Sequence, residues 1–139
     1  MKTTVQLLCA VFVLTMMNAG AFGQSCPNWS PKFDEITNSE VKSQLQQMNW
    51  DAAIEQAGGP DATIVAFNSI LADARTRLDN AARAVQQLAA DRESAQLDAT
   101  WDECSGPRNA LMAAKCEYLN MTELILSAEG SIELVQCRQ

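Results

Sequence analysis

The 139-residue chain has no histidine, so any chemistry would fall to carboxylates, thiols, hydroxyls and amides. Without an imidazole there is no Ser-His pair, no Cys-His pair and no His-metal site. The 17 Asp and Glu residues would bring some carboxylates together in any fold, so an acid pair of the glycosidase kind is not a specific signal here. Asp102-Glu103 beside Trp101 is the most suggestive local case, because an aromatic ring next to a carboxyl group disfavours its charged form. The simpler reading of the same residues is a solvated helix end. Gly58-Gly59-Pro60 lacks the lysine and hydroxyl of a phosphate loop, and neither a G-x-S-x-G elbow nor a D-x-D-x-D-G calcium loop occurs. The sequence therefore offers no catalytic residue, no metal ligand and no cofactor site, and the expectation is a protein that is not an enzyme.

Thiol chemistry is read together with the chain's start. Lys2 precedes the uncharged, largely apolar run from Val5 to Met17, and the small residues Ala21 and Gly23 suit positions −3 and −1 of a signal-peptidase cut. Residues 1–23 read as a secretory signal peptide. The apolar run is shorter than the roughly 20 residues needed to span a bilayer. The mature chain, 24–139, would be a single helical domain in the extracellular space, with no membrane span once the signal is removed.

Removal of Lys2 leaves 9 basic against 17 acidic residues, a formal charge of −8, which argues against a nucleic-acid surface. Cys9 leaves with the signal. Cys26, Cys104, Cys116 and Cys137 remain, an even number suited to two disulfides in an oxidising compartment. There is no C-x-x-C, so a redox motif or zinc ribbon has no support. One helix running from Cys116 to Cys137 would hold them about 31 Å apart, far beyond disulfide reach. Cys104–Cys116 and Cys26–Cys137 are then the preferred pairs. Other pairings open if the chain turns back at Gly130.

The elements that would carry these residues are helices. Residues 24–37, with Pro27, Trp29, Pro31 and Phe33, read as an extended arm tied by Cys26. Val41, Leu45, Met48 and Ala52 line one helix face, starting at Asn38 or Ser39. Asn49-Trp50-Asp51 interrupts it, with Asp51 as the expected cap of a second short piece, and Gly58-Gly59-Pro60 stops it. From Asp61, capped by itself or by Thr63, the residues Ile64, Phe67, Leu71, Ala74, Leu78, Ala81, Val85 and Leu88 alternate steps of three and four. That pattern predicts a long central helix over 61–95, about 52 Å in length. Asp73–Arg77, Arg75–Asp79 and Asp79–Arg83 are opposite-charge pairs at i,i+4 on it. Pro107 could begin a last helix, whose stripe runs from Leu111 through Tyr118, Met121 and Ala128 to Val135.

The flanking alanines Ala82, Ala84 and Ala89 widen the apolar face beyond a two-stranded seam, which favours an intramolecular bundle, and hence a monomer, over a homodimer. The expected fold class is all-α: a small disulfide-linked antiparallel bundle or hairpin of three to four helices with an extended N-terminal arm.

Two sequons stand in this frame. Asn120-Met121-Thr122 falls inside the last helix, while Asn28-Trp29-Ser30 is followed by Pro31, which usually lowers use. Phe67, Trp101, Met112 and Tyr118, with Met48, Trp50 and Met121 as neighbours, could line an apolar pocket; ordinary core is the plainer reading. Two functional expectations follow. One is a secreted, non-enzymatic protein that touches an unidentified protein partner through its surface, as a structural, effector or secretion component. The other is a carrier of a small apolar ligand inside the bundle. Small, acidic, bridged and all-helical is similar to insect odorant-binding proteins, but four mature cysteines instead of six, and fewer, longer helices, set this chain apart.

Overall fold

Asparagine side chains set most of the helix starts in the computed structural model, which describes residues 25–139. Asn38 Oδ1 accepts from the backbone N–H groups of Glu40 and Val41, both at 3.1 Å, and starts helix α1, Ser39–Gln47. Asn49 does the same for α2, Trp50–Gln56, accepting from Ala52 N at 3.1 Å; the cap is Asn49, and Asp51, the expected cap, lies within the helix. Gly58 and Gly59 adopt φ of 100° and 103°, a conformation open to glycine, and turn the chain into α3, Pro60–Leu88. Gly59 is the N-cap residue here, not Asp61 or Thr63, because Pro60 occupies the first helical position where its missing N–H costs nothing. The Thr63 hydroxyl instead donates back to the Gly59 carbonyl at 2.7 Å.

Helix α3 has 29 residues, about 43 Å, and stops at Leu88, before the expected end at 95. Competition from side chains accounts for the early stop. Asp91 Oδ1 accepts from Ser94 N at 2.8 Å while Ser94 Oγ accepts from Asp91 N at 3.2 Å, and this local turn replaces helical bonding. Leu88 is 48% exposed, so little core remains to reward further helix. Residues 89–109 are irregular except for a 3-10 turn at Glu103–Ser105. The last helix, α4, Ala110–Cys137, begins at Asn109, whose Oδ1 accepts from Met112 N at 2.8 Å; Pro107 lies before the helix. It runs unbroken through Gly130.

The architecture is all-α, with four α-helices and no strand among the described residues. Asp61 meets Gln139, Arg75 meets Glu129 and Arg77 meets Glu117, so α3 and α4 run antiparallel along most of their lengths. Leu71, Ala74, Ala81 and Val85 of α3 are buried, as are Met121, Ala128, Leu134 and Val135 of α4. The N-terminal arm is extended only in part, since Pro31–Glu35 form a 3-10 helix capped by Ser30. It closes one end of the hairpin. There Phe33, Ile36, Leu45, Trp50, Ile54, Leu134 and Val135 make one core cluster. Phe33 stacks on Trp50 with centroids 6.1 Å apart and meets Trp29 edge-on at 5.0 Å. The proposed leader, residues 1–23, and Gln24 lie outside the described residues.

Candidate functional site

Two disulfides hold the arm and the connecting loop onto α4. Cys26 is joined to Cys137 and Cys104 to Cys116, with Cα atoms 5.7 and 5.5 Å apart. Because α4 is continuous, Cys116 and Cys137 sit toward its two ends and cannot meet. The Cys104–Cys116 bridge fixes the end of the loop that carries Trp101 against the start of α4.

Trp101 is then drawn toward the arm. Its indole N–H donates to Thr37 Oγ1 at 2.9 Å, and the Thr37 hydroxyl in turn donates to Glu123 Oε2. Glu123 is only 7% exposed. It also accepts from Thr37 N at 2.8 Å and Asn38 N at 2.9 Å, so three donors face one carboxylate. Hydrogen bonds to an ionised acceptor are the stronger kind, and they fasten the arm and the start of α1 to the middle of α4.

Around this latch lies an open cleft of about 330 Å³, walled by Val41, Trp101, Met121 and Leu124, with Asn38, Arg77, Glu117, Asn120, Glu123 and Ser127 between them. Arg77 binds Glu117 through Nε at 3.0 Å and a terminal nitrogen at 2.9 Å, and reaches Asp73 at 3.8 Å. The charged groups of the cleft and the Trp101 indole are thus engaged: Glu123 with the arm, Trp101 with Thr37, Arg77 with Glu117. What the cleft presents outward is apolar surface with a polar rim.

The residues proposed for one apolar pocket are dispersed. Phe67 lies in a groove between α2 and α3 of about 210 Å³, with Met48, Trp50 and Ile70. Trp101 belongs to the cleft above, and Met112 borders a third depression with Asp102, Glu103 and Arg108. Tyr118 is half-buried on α4 and lines none of the three. The antiparallel hairpin separates them: Phe67 is near the start of α3 and faces the end of α4, while Met112 and Tyr118 are near the start of α4.

Asp102 and Glu103 are exposed, and Glu103 accepts from Thr100 N at 2.9 Å, as a turn-capping residue does. Among the described residues no group of three or more Cys, Asp or Glu is placed to hold a metal ion, and no helix is long and apolar enough to cross a membrane. Both sequon asparagines are exposed; Asn120 borders the cleft, and Asn28 Oδ1 accepts from Arg138 at 3.0 Å.

Three structural roles escaped the sequence reading. Glu123 carried a weak signal, as a lone carboxylate in the apolar run from Met121 to Ala128. Gly130 had none, although a Cβ there would lie 2.5 Å from the Phe33 ring. Arg138 had none either; its guanidinium ties the ends together by reaching Asp51 at 2.7 Å, the Pro27 carbonyl at 3.1 Å and the Leu134 carbonyl at 2.8 Å. No protein-family model, no curated protein and no solved structure matches the chain.

Proposed function

We propose that the chain is exported through residues 1–23, is not an enzyme, and acts extracellularly by contact with a partner protein at the Trp101 cleft. One observation carries this reading. The charged groups of the cleft are already engaged, Glu123 by the arm and Arg77 with Glu117, so beside Asn120 and Ser127 the cleft offers shape and apolar surface rather than a free acid or base. The two disulfides suit an oxidising destination. The single-domain, monomeric character read from the sequence belongs to the same proposal.

The test has two parts. Expression with the native leader should deliver to the medium a chain that begins at Gln24; retention inside the cell removes the extracellular reading. The exported chain and its Leu124→Asp variant, each carrying Thr122→Ala so that the Asn120 side chain stays unmodified, are then presented to the fluid into which the producing cells release it. A partner retained by the first and by an Asp98→Ala surface control, but lost with Leu124→Asp, is the expected result. Equal retention by all three places the contact elsewhere and defeats the proposal.

Carriage of a small apolar molecule is the second reading, favoured by the groove holding Phe67. That groove has about 210 Å³ and is flanked by Met48 and Ile70, each 40% exposed. It is smaller than the roughly 300 Å³ at which enclosed ligand sites begin. Addition of a fatty or aromatic probe should quench or shift tryptophan emission if this reading holds, and leave it unchanged if it fails.

A further inference from the structure

We infer that Asn120 is an N-glycosylation site whose first sugar lies across the Trp101 cleft, so that the attached glycan controls access to it. The inference rests on the export proposed above and concerns the regulation of that same cleft.

Three placements support it. Asn120-Met121-Thr122 is an acceptor sequon, and its neighbouring side chains part in the folded helix: Asn120 is exposed while Met121 is 6% exposed and packs inward. A glycan on Asn120 therefore leaves the core undisturbed. Asn120 is itself part of the cleft lining, beside Trp101 and Leu124. A sugar joined through the planar side-chain amide has few rotatable bonds, so its ring must lie near the point of attachment. The cleft has room for roughly one such ring. Its apolar C–H face would meet Trp101 and Leu124. Asn28 lines neither this cleft nor the Phe67 groove, and its side-chain oxygen is held by Arg138.

The chemistry is a group transfer from a lipid-linked oligosaccharide diphosphate. A bond forms between Asn120 Nδ2 and sugar C1, the bond from C1 to the phosphate oxygen breaks, the lipid diphosphate leaves, and the amide nitrogen gives up one proton.

The test uses the full chain secreted from cells that make high-mannose glycans, once with its native leader and once with a leader of proven export. Peptide mass mapping should find a glycan on Asn120 that is absent from Thr122→Ala and from Asn120→Gln. Hydroxyl-radical footprinting then reads access to Trp101 in the same samples. The expected result is several-fold less oxidation of Trp101 in the glycosylated chain than in either variant, retained after endoglycosidase trimming to a single sugar. An unmodified Asn120 in chain exported by the proven leader overturns the inference, as does Trp101 oxidation equal with and without the glycan, or protection lost on trimming. Failure of the native leader alone defeats the export reading, and the glycan outcomes are then scored on the chain exported by the proven leader.

Discussion

Replacement of Gly130 by alanine should destabilise the fold, against the ordinary preference of helices. In the middle of a helix, alanine is better than glycine by about 1 kcal/mol. At Gly130 the added Cβ would stand 2.5 Å from Phe33 Cε1, 2.8 Å from Phe33 Cδ1 and 3.1 Å from Ser30 Oγ. Ordinary carbon contacts are about 3.5–4.0 Å, so the ring must retreat by roughly 1 Å. It has nowhere to go: Phe33 is fully buried, stacked on Trp50 and set against the edge of Trp29. Overpacking a filled core costs about 1–3 kcal/mol, occasionally more, and two ring atoms are struck at once. The clash should win, leaving Gly130→Ala about 1–2 kcal/mol less stable. In a domain of this size that lowers Tm by roughly 4–8 °C. Thermal and urea unfolding of the oxidised protein, followed by far-ultraviolet circular dichroism, measures it. In a Phe33→Leu background the space reopens and the same change should become neutral or stabilising by up to about 1 kcal/mol. A Gly130→Ala protein as stable as its parent, with Phe33 intact, would refute the packing argument.

Trp50 carries the one buried side-chain polar atom found without a partner among the described residues, its indole N–H. Trp50→Phe keeps the stack on Phe33 and removes that donor, so it should cost less than about 1 kcal/mol, against about 3–5 kcal/mol for Trp50→Ala; a large loss with phenylalanine would show that the N–H has an acceptor. The Cys26–Cys137 bridge closes a separation of 111 residues and Cys104–Cys116 one of 12. By chain entropy, removing the first pair should cost about 2 kcal/mol more than removing the second, and the reverse order in urea unfolding of the two double-alanine variants would reject that account. Glu123→Gln leaves an amide where three donors converge, and should cost about 1–3 kcal/mol while loosening the junction of the arm with α1; a change within about 0.5 kcal/mol means the latch does not hold that junction. The backbone N–H and hydroxyl of Ser94 hold the Asp91 carboxyl below the ordinary carboxylate range. A depressed folded value contributes stability above the unfolded pKa and loses it as the pH falls through the folded one, and Ser94→Ala, which removes the hydroxyl but keeps the backbone N–H, should raise the Asp91 titration midpoint in part, read by NMR; an unmoved midpoint rejects the hydroxyl as a cause.

Much of the helical frame was legible because it is written in local periodicity. The stripes from Ile64 to Val85 and from Leu111 to Val135 repeat every three or four residues, and that spacing has only one regular structure to serve. Helix ends were less legible, since they depend on which of several neighbouring polar side chains reaches the free N–H groups. Asn49 and Asp51 are both competent caps, and only the turn before α2 decides for Asn49. Likewise the Asp91–Ser94 turn keeps α3 from running past Leu88, the last member of its stripe. The cleft was less legible still. Its members come from the start of α1, from α3, from the connecting loop and from α4, and no local pattern states that Thr37, Trp101 and Glu123 converge.

The charges on α3 show how such convergence is encoded. Three pairs along the helix satisfy the i,i+4 spacing, yet among the described residues only Asp73–Arg77 lies within ion-pair distance, at 3.8 Å. Arg75 and Arg77 instead reach across to Glu129 and Glu117, each at 2.9 Å. All four side chains are at least partly exposed, so each bridge is worth about 0–1 kcal/mol and neither holds the hairpin together. Their effect is on register. A slip of α3 along α4 by one turn, about 5.4 Å, would first disturb the buried Leu71, Ala74, Ala81 and Val85. Such a slip would separate both bridges at once and strand two carboxylates and two guanidinium groups, which charge complementarity disfavours. Of the cleft, this register places Arg77, its one lining residue from α3, while Trp101 and the arm are set against α4 by the two disulfides and the Glu123 latch. An Arg77→Ala chain should therefore lose the Glu117 bridge on the α3 side of the cleft while its stability in urea stays within about 1 kcal/mol of the parent's; a larger loss would show that the pair does more than align the two helices.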